Sequence, residues 1–173
     1  MKKSKFLLGL FACAAMTLNS CSSDDDGTNG GSIAGTYDLE EVNVSEGVDF
    51  DQNGTANTDL TKESNCFDSG KMTLNADGTL QFVNSYVLVD ENLGTFECAS
   101  STFSGTWLTQ GQAGSTIVIE VTYADANNDN VNLILTKQGD KLTYTQLFGQ
   151  YPDRNAQGGA IYTNGSVEYV FDK

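Results

Sequence analysis

The chain has 173 residues, with 23 acidic against 9 basic side chains, a net charge of −14 at neutral pH, 18 glycines, one proline and no histidine. A surface so acidic repels nucleic acid and anionic lipid headgroups, which argues against nucleic-acid partners. Without histidine, neither a Ser-His-Asp nor a Cys-His catalytic arrangement can be built; paired carboxylates could serve a glycosidase, but no two are marked as facing each other across a cleft, so the chain reads as a non-enzyme.

The first 20 residues have the layout of an export signal. Lys2, Lys3 and Lys5 form a basic start, and residues 6–16 are an apolar run too short to span a bilayer as a helix. Leu18-Asn19-Ser20-Cys21 resembles a bacterial lipobox, in which the cysteine thiol receives a diacylglycerol and the peptide before it is removed. The alternative is an ordinary secretory signal with a cysteine nearby. Residues 21–32, rich in Gly, Ser, Asn and Asp, carry too little apolar content to fold and are expected to form a flexible tether. Asp24-Asp25-Asp26 resembles the surface-export signal of Bacteroidetes lipoproteins, and Ser22 favours the outer membrane; a solvated charge run on a periplasm-facing protein is the alternative. Loss of residues 1–20 removes three lysines and no acid, taking the net charge from −14 to −17. No second apolar segment is long enough to span a membrane, which leaves the acyl chains as the expected anchor.

Of the four cysteines, Cys13 lies in the signal and Cys21 is the lipidation site. Cys66 and Cys98 remain as an even pair in an oxidising compartment and are expected to form a disulfide. Closing that loop stabilises the fold by roughly 3–4 kcal/mol in the chain-entropy picture. Two buried thiols or half of a metal site are the alternatives, although too few further ligands exist for structural zinc.

Residues 33–173 suffice for one domain with one core, and their short alternating runs predict an all-β fold. The first strand is expected at 35–45, with Tyr37 and Leu39 inward and a bulge near Glu40-Glu41. A long connection, 46–69, follows, with one helical turn at 59–64 capped by Thr58. The second strand, 71–75, meets the third, 79–89, through Ala76-Asp77-Gly78. Residues 90–98 read as irregular. The fourth strand is 102–109, and 110–114 turns the chain into the fifth, 116–123, where Ile117, Ile119, Val121 and Tyr123 show the clearest period of two. A polar hairpin loop at 124–130 leads to the sixth, 131–136, and Lys137-Gln138-Gly139-Asp140 leads to the seventh, 141–148. Residues 149–164 read as a loop and 166–172 as the eighth strand. Eight strands joined mainly by hairpins predict an antiparallel up-and-down barrel, whose closure removes exposed edges; a two-sheet sandwich is the alternative.

Ile33-Ala34-Gly35-Thr36-Tyr37 resembles the Gly-x-Trp opening of lipocalin-like domains, with Tyr37 in the tryptophan's place. Phe103-Ser104-Gly105-Thr106-Trp107 followed by an apolar strand is similar to a motif inside lipocalin-like lipoproteins of Bacteroidetes. Glu63-Ser64-Asn65-Cys66 and Leu74-Asn75-Ala76-Asp77-Gly78-Thr79 are also similar to that group. The resemblance implies an eight-stranded barrel with an internal ligand cavity, and so a lipid-anchored, non-catalytic binder of a small apolar ligand. The alternative is a surface accessory protein whose loops bind a protein or a glycan.

The strongest chemical motif runs from Asp49 to Asp59. Asp49, Asp51, Asn53 and Asn57 place oxygens at relative positions 1, 3, 5 and 9, Gly54 stands at 6, and the Thr55 carbonyl adds a ligand. This is most of an EF-hand-type loop, and Ca²⁺ is the cofactor it predicts. Position 12 is Leu60 in place of the bidentate Glu, and Asp59 falls at 11. A solvated acidic loop is the alternative. The run Asp125-Ala126-Asn127-Asn128-Asp129 has alternating oxygens too, but reads as turn chemistry. Tyr37, Phe82, Trp107, Tyr123 and Tyr144 are the candidate ligand-pocket residues; the same rings would also serve as barrel core. Residues 150–165, with Tyr151, Arg154 and Tyr162, are a candidate lid or recognition loop.

Overall fold

A computed structural model describes residues 32–173. The expected signal at 1–20, Cys21, the Asp24–Asp26 cluster and all but the last residue of the expected tether lie outside them. Nine strands follow in order: β1 (Gly35–Val48), β2 (Asn57–Asp59), β3 (Lys71–Leu74), β4 (Thr79–Asp90), β5 (Thr95–Ala113), β6 (Thr116–Ala124), β7 (Asn130–Gln138), β8 (Lys141–Arg154) and β9 (Ala160–Asp172). Each pairs antiparallel with its neighbour in the order β2-β1-β3-β4-β5-β6-β7-β8-β9, and β1 also pairs with β9. That pairing closes eight strands into a barrel, with β2 as a short ninth strand on the second half of β1. The fold is the predicted up-and-down barrel, not the sandwich.

Alternation builds the wall. Ile119 and Val121 are fully buried, while Lys173 at the other end of the chain closes the base, its Nζ donating to Ser32 O and Ala34 O at 2.8 Å each. The bulge expected in β1 falls between Leu39 and Glu41. It shifts the register so that Leu39 and Val42 both stay opposite inward-facing β9 partners, Phe171 and Tyr169. The β3–β4 turn forms as predicted: Gly78, at φ 83°, donates to Asn75 O at 3.0 Å, and Asp77 Oδ1 accepts Thr79 N–H at 2.9 Å. Trp107 clamps that turn, with its backbone N–H on Gly78 O and its indole N–H on Asn75 O, both at 2.9 Å.

The interior divides into two clusters. Tyr37, Met72, Leu74, Leu80, Phe82, Ile119, Val121, Leu135, Leu142 and Phe171 fill one end of the barrel. The second cluster gathers Val42, Val44, Val48, Phe50, Leu60, Phe67, Val87, Tyr151 and Val167, and so packs the long connection onto β1, β4, β8 and β9. Cys66 and Cys98 form the expected disulfide, Cα to Cα 4.8 Å, which pins the connection to β5.

Several expectations need correction. Residues 90–98 are mostly ordered hairpin: β4 runs to Asp90, four residues turn, and β5 starts at Thr95. β5 also continues through 110–113 by way of a bulge between Thr109 and Gly111. The span read as a loop at 149–164 is the outer half of the β8–β9 hairpin, paired from Gly149↔Gly165 to Arg154↔Ala160. The single helical turn is two 3-10 turns, Leu60–Lys62 and Asn65–Phe67, capped by Asp59 and Ser64 rather than Thr58.

β7 and β8 share only three register pairs, Thr136↔Thr143 to Gln138↔Lys141. Beyond Thr143, β8 leaves its neighbour and the wall parts. The outer β8–β9 hairpin then meets the outer β4–β5 hairpin, where Ala160 N–H donates to Gly94 O at 2.9 Å. Tyr162 ties the two together: its hydroxyl accepts Val89 N–H at 3.1 Å and donates to Val87 O at 3.0 Å.

Candidate functional site

Two features stand out, an acidic loop and a cleft beside it. In the loop, carboxylate oxygens of Asp49, Asp51 and Glu63 lie within 4.8 Å of one another. Two oxygens bound to one calcium at about 2.4 Å sit at most about 4.8 Å apart, so the group has the dimensions of a cation site. The loop is wound by its own side chains. Asp49 Oδ2 accepts Gly54 N–H at 3.0 Å, Asp51 Oδ1 accepts Asn53 N–H at 3.0 Å, and Asn53 Oδ1 accepts Thr55 N–H at 2.8 Å. Gly54, at φ 88°, makes the sharp turn. Asp49 Oδ1 is buried and has no hydrogen-bond partner among the described residues. A buried, unpaired carboxylate oxygen is costly, and a cation would satisfy it.

The membership of this group differs from the predicted set. Asp49 and Asp51 belong to it. Asn53 and Thr55 shape the loop, and Asn57 Nδ2 donates to Glu63 Oε1 and, at 3.4 Å, to Thr55 O. Asp59 is elsewhere: its Oδ1 accepts Val42 N–H at 3.2 Å and Thr61 N–H at 3.1 Å, and it pairs with Lys62. It caps a turn and is not part of the carboxylate group. Glu63 takes the place left empty by Leu60 at position 12. It stands at relative position 15, and the 3-10 turn at Leu60–Lys62 folds it back over the loop, where it is 3 % exposed.

Asp125 Oδ1 accepts Asn127 N–H at 2.8 Å and Asp129 N–H at 2.9 Å, so that run is turn chemistry as expected.

The cleft, of about 550 Å³, lies between β1, β4, the part of β8 beyond Thr143, and β9. Val42, Leu60, Phe67 and Val167 form part of its apolar lining, and Tyr86, Tyr169 and Phe148 add rings. Gln146, Gln150 and Asn164 add primary amides. None of the described residues that line it carries a formal charge, in a chain with 23 acidic groups. A second cavity, of about 670 Å³ beside the β4–β5 turn, differs in being lined by Asp90, Glu91 and Glu97. Two of those carboxylates are committed to protein N–H groups, Glu91 to Tyr162 and Asp90 to Asn92 and Leu93.

The five predicted ligand-pocket residues line neither cavity. Tyr37 and Phe82 are buried core, and Tyr37 hydroxyl donates to Ile33 O at 2.7 Å. Trp107 clamps the β3–β4 turn, Tyr123 stacks on Phe103 with centroids 5.0 Å apart, and Tyr144 stacks on Tyr169 at 4.6 Å. Burial pushes the Tyr37 hydroxyl up to about 12, aided by nearby Asp140, and pushes Tyr144 well up, aided by Tyr169. The candidate lid is instead part of the paired β8–β9 hairpin that walls the cleft. Arg154 braces it, with its guanidinium 4.4 Å from the Phe50 ring and its Nε donating to Phe50 O at 2.8 Å.

Comparison with protein-family models, with curated proteins and with solved structures finds no match for this chain.

Proposed function

We propose that the chain is a lipid-anchored, non-catalytic binding module of the cell envelope, lipocalin-like in architecture, that holds a small uncharged ligand in the cleft between β4, β8 and β9. One observation carries this reading: a cleft of about 550 Å³ whose described lining residues carry no formal charge, in a strongly acidic chain. Its size falls in the range of small-molecule sites, about 300–1,000 Å³. The ligand's place is this cleft rather than the deep barrel, because the opposite end of the interior is filled by Tyr37, Met72, Phe82 and their neighbours.

Anchoring through Cys21, removal of residues 1–20 and display at the outer-membrane surface are supported by the lipobox-like sequence and the acidic cluster after it. The loop at 49–63 supports Ca²⁺ as the bound ion, since an all-oxygen donor set suits a hard cation. Asp49, Asp51 and Glu63 would hold it. Leu60, inside the same loop, lines the cleft, so a loaded loop would fix part of the cleft wall.

Native mass spectrometry of the protein purified from its own membranes tests the binding role. A retained small mass, lost in Phe148→Ala, is the expected result. No retained mass, or one indifferent to Phe148→Ala, counts against a ligand in the cleft. Metabolic labelling with a palmitate analogue tests the anchor, and Cys21→Ala should abolish both label and membrane fractionation.

A further inference from the structure

Building on the proposed cleft site, we infer that its ligand is a neutral saccharide. The cleft joins flat rings to primary amides, with no formal charge among its described lining residues, which matches a molecule with apolar C–H faces and hydroxyl edges. Phe148 lies at the mouth, 96 % exposed. It sits in the irregularity between Gln146 and Gly149, where β8 steps out of the β9 ladder and its own ring finds no core to enter. An aromatic left so open gains burial only when something covers it.

The amides stand beside it. Gln150 and Asn164 face each other on one β8–β9 rung, and Gln150 Nε2 donates to Asn164 Oδ1 at 3.2 Å. That bond leaves the Gln150 carbonyl oxygen and the Asn164 amino group to act as acceptor and donor on the same rung. Gln146 makes no side-chain hydrogen bond among the described residues and adds a third amide. Vicinal sugar hydroxyls both donate and accept, so they can satisfy this set. Other ligand classes fit less well. An acyl chain would desolvate three amides without replacing their water. An anion would find no Lys or Arg in the described lining and would approach a chain of net charge −14. A quaternary ammonium would find rings but no carboxylate in the described lining.

Titration calorimetry on the protein purified from its membranes, with neutral gluco-, manno- and N-acetylglucosamine tetrasaccharides, decides the matter. A uronate tetrasaccharide, choline and palmitate run in parallel. At least one neutral tetrasaccharide should bind with an affinity that changes less than about twofold between roughly 50 and 500 mM salt, as no charge pairing is involved. Phe148→Ala and Gln150→Ala should each weaken it by about tenfold or more, with the thermal midpoint within about 2 °C of the parent, because both side chains are exposed. Binding that survives both substitutions lies elsewhere and overturns the assignment. Phe148-dependent binding of the uronate, choline or palmitate alone overturns the saccharide class and leaves the cleft as the site. No binding by any probe overturns the saccharide, and absence of a retained mass in the native spectrum then removes the cleft reading as well.

Discussion

Glu63 reaches back across 13 residues to Phe50: its Oε2 accepts the Phe50 N–H at 2.9 Å while the side chain is 3 % exposed. The bond holds Glu63 over Asp49 and Asp51, and so brings three negative groups together at one side of the fold. Calcium should relieve that repulsion. At about 100 times its Kd it stabilises the native state by about 2.7 kcal/mol, which raises the melting midpoint by roughly 5–10 °C for a domain of this size. Asp49→Asn and Glu63→Gln should abolish the shift. Asp59→Asn should keep it, while lowering the baseline by about 1 kcal/mol through loss of a cap. Midpoints that coincide with and without chelator in the parent protein would refute the site.

The disulfide closes a sequence separation of 32 residues and ties the connection, through Cys66, to the outer β4–β5 hairpin. Reduction should therefore lower stability by about 3–4 kcal/mol, and the Cys66→Ala/Cys98→Ala double variant should melt roughly 10 °C below the parent. Cys98 is exposed and β5 stays paired with β4 on either side of it, so far-UV circular dichroism should report an intact sheet below the lowered midpoint. A thiol titration of the denatured parent that finds Cys66 and Cys98 free would contradict the bond.

What the sequence could and could not disclose follows from which residues carry a pattern. β6 was legible because Ile117, Ile119, Val121 and Tyr123 alternate with Thr116, Val118, Glu120 and Thr122, three of them polar, and so was the turn at Asp77-Gly78. The outer halves of β5, β8 and β9 were not. Thr95 to Cys98 alternate for only four residues, too few to stand out, and are all exposed. At the end of β8, Pro152 argues against a strand, yet β8 beyond Thr143 pairs on one side only, and an edge tolerates proline. In the acidic loop, Asp49, Asp51 and Gly54 were visible by spacing. Glu63 was hidden because it lies three residues past the position where an EF-hand ligand is sought, and only the 3-10 turn brings it back. The cleft has no local signature at all, since Val42, Tyr86, Gln146 and Asn164 come from four strands.

Gly105, in the Gly-Thr-Trp triplet, marks a close approach of two backbones. A Cβ there would lie 2.1 Å from Thr122 O and 2.9 Å from Tyr123 Cβ. Neither the carbonyl nor the neighbouring strand can move away without breaking the β5–β6 ladder, so Gly105→Ala should cost about 2–3 kcal/mol or more. Gly111, with nothing within 4 Å of such a Cβ, is the control; Gly111→Ala should stay within about 0.5 kcal/mol of the parent. Urea midpoints measure both. Equal midpoints for the two variants would mean that β5 and β6 are not held this closely.

Tyr37 and Tyr144 should both weaken the fold at alkaline pH. The Tyr37 hydroxyl titrates near 10.0 when exposed and is pushed up to about 12 in the barrel, first by burial and then by Asp140. Between those values the unfolded chain has lost the proton and the native chain has kept it. The contribution is thus fully present below pH 10 and declines as pH rises toward about 12. Tyr144, Tyr169 and Tyr123 are raised by burial as well and act in the same direction. Tyrosinate absorbance followed with circular dichroism should therefore show the buried tyrosines ionising together with loss of the sheet, above pH 10. Tyr37→Phe should lose about 1 kcal/mol at neutral pH, where its hydrogen bond to Ile33 O is missing, and should show a shallower alkaline decline. If all the tyrosines ionise near pH 10 while the sheet remains, Tyr37 and Tyr144 are not enclosed in the barrel.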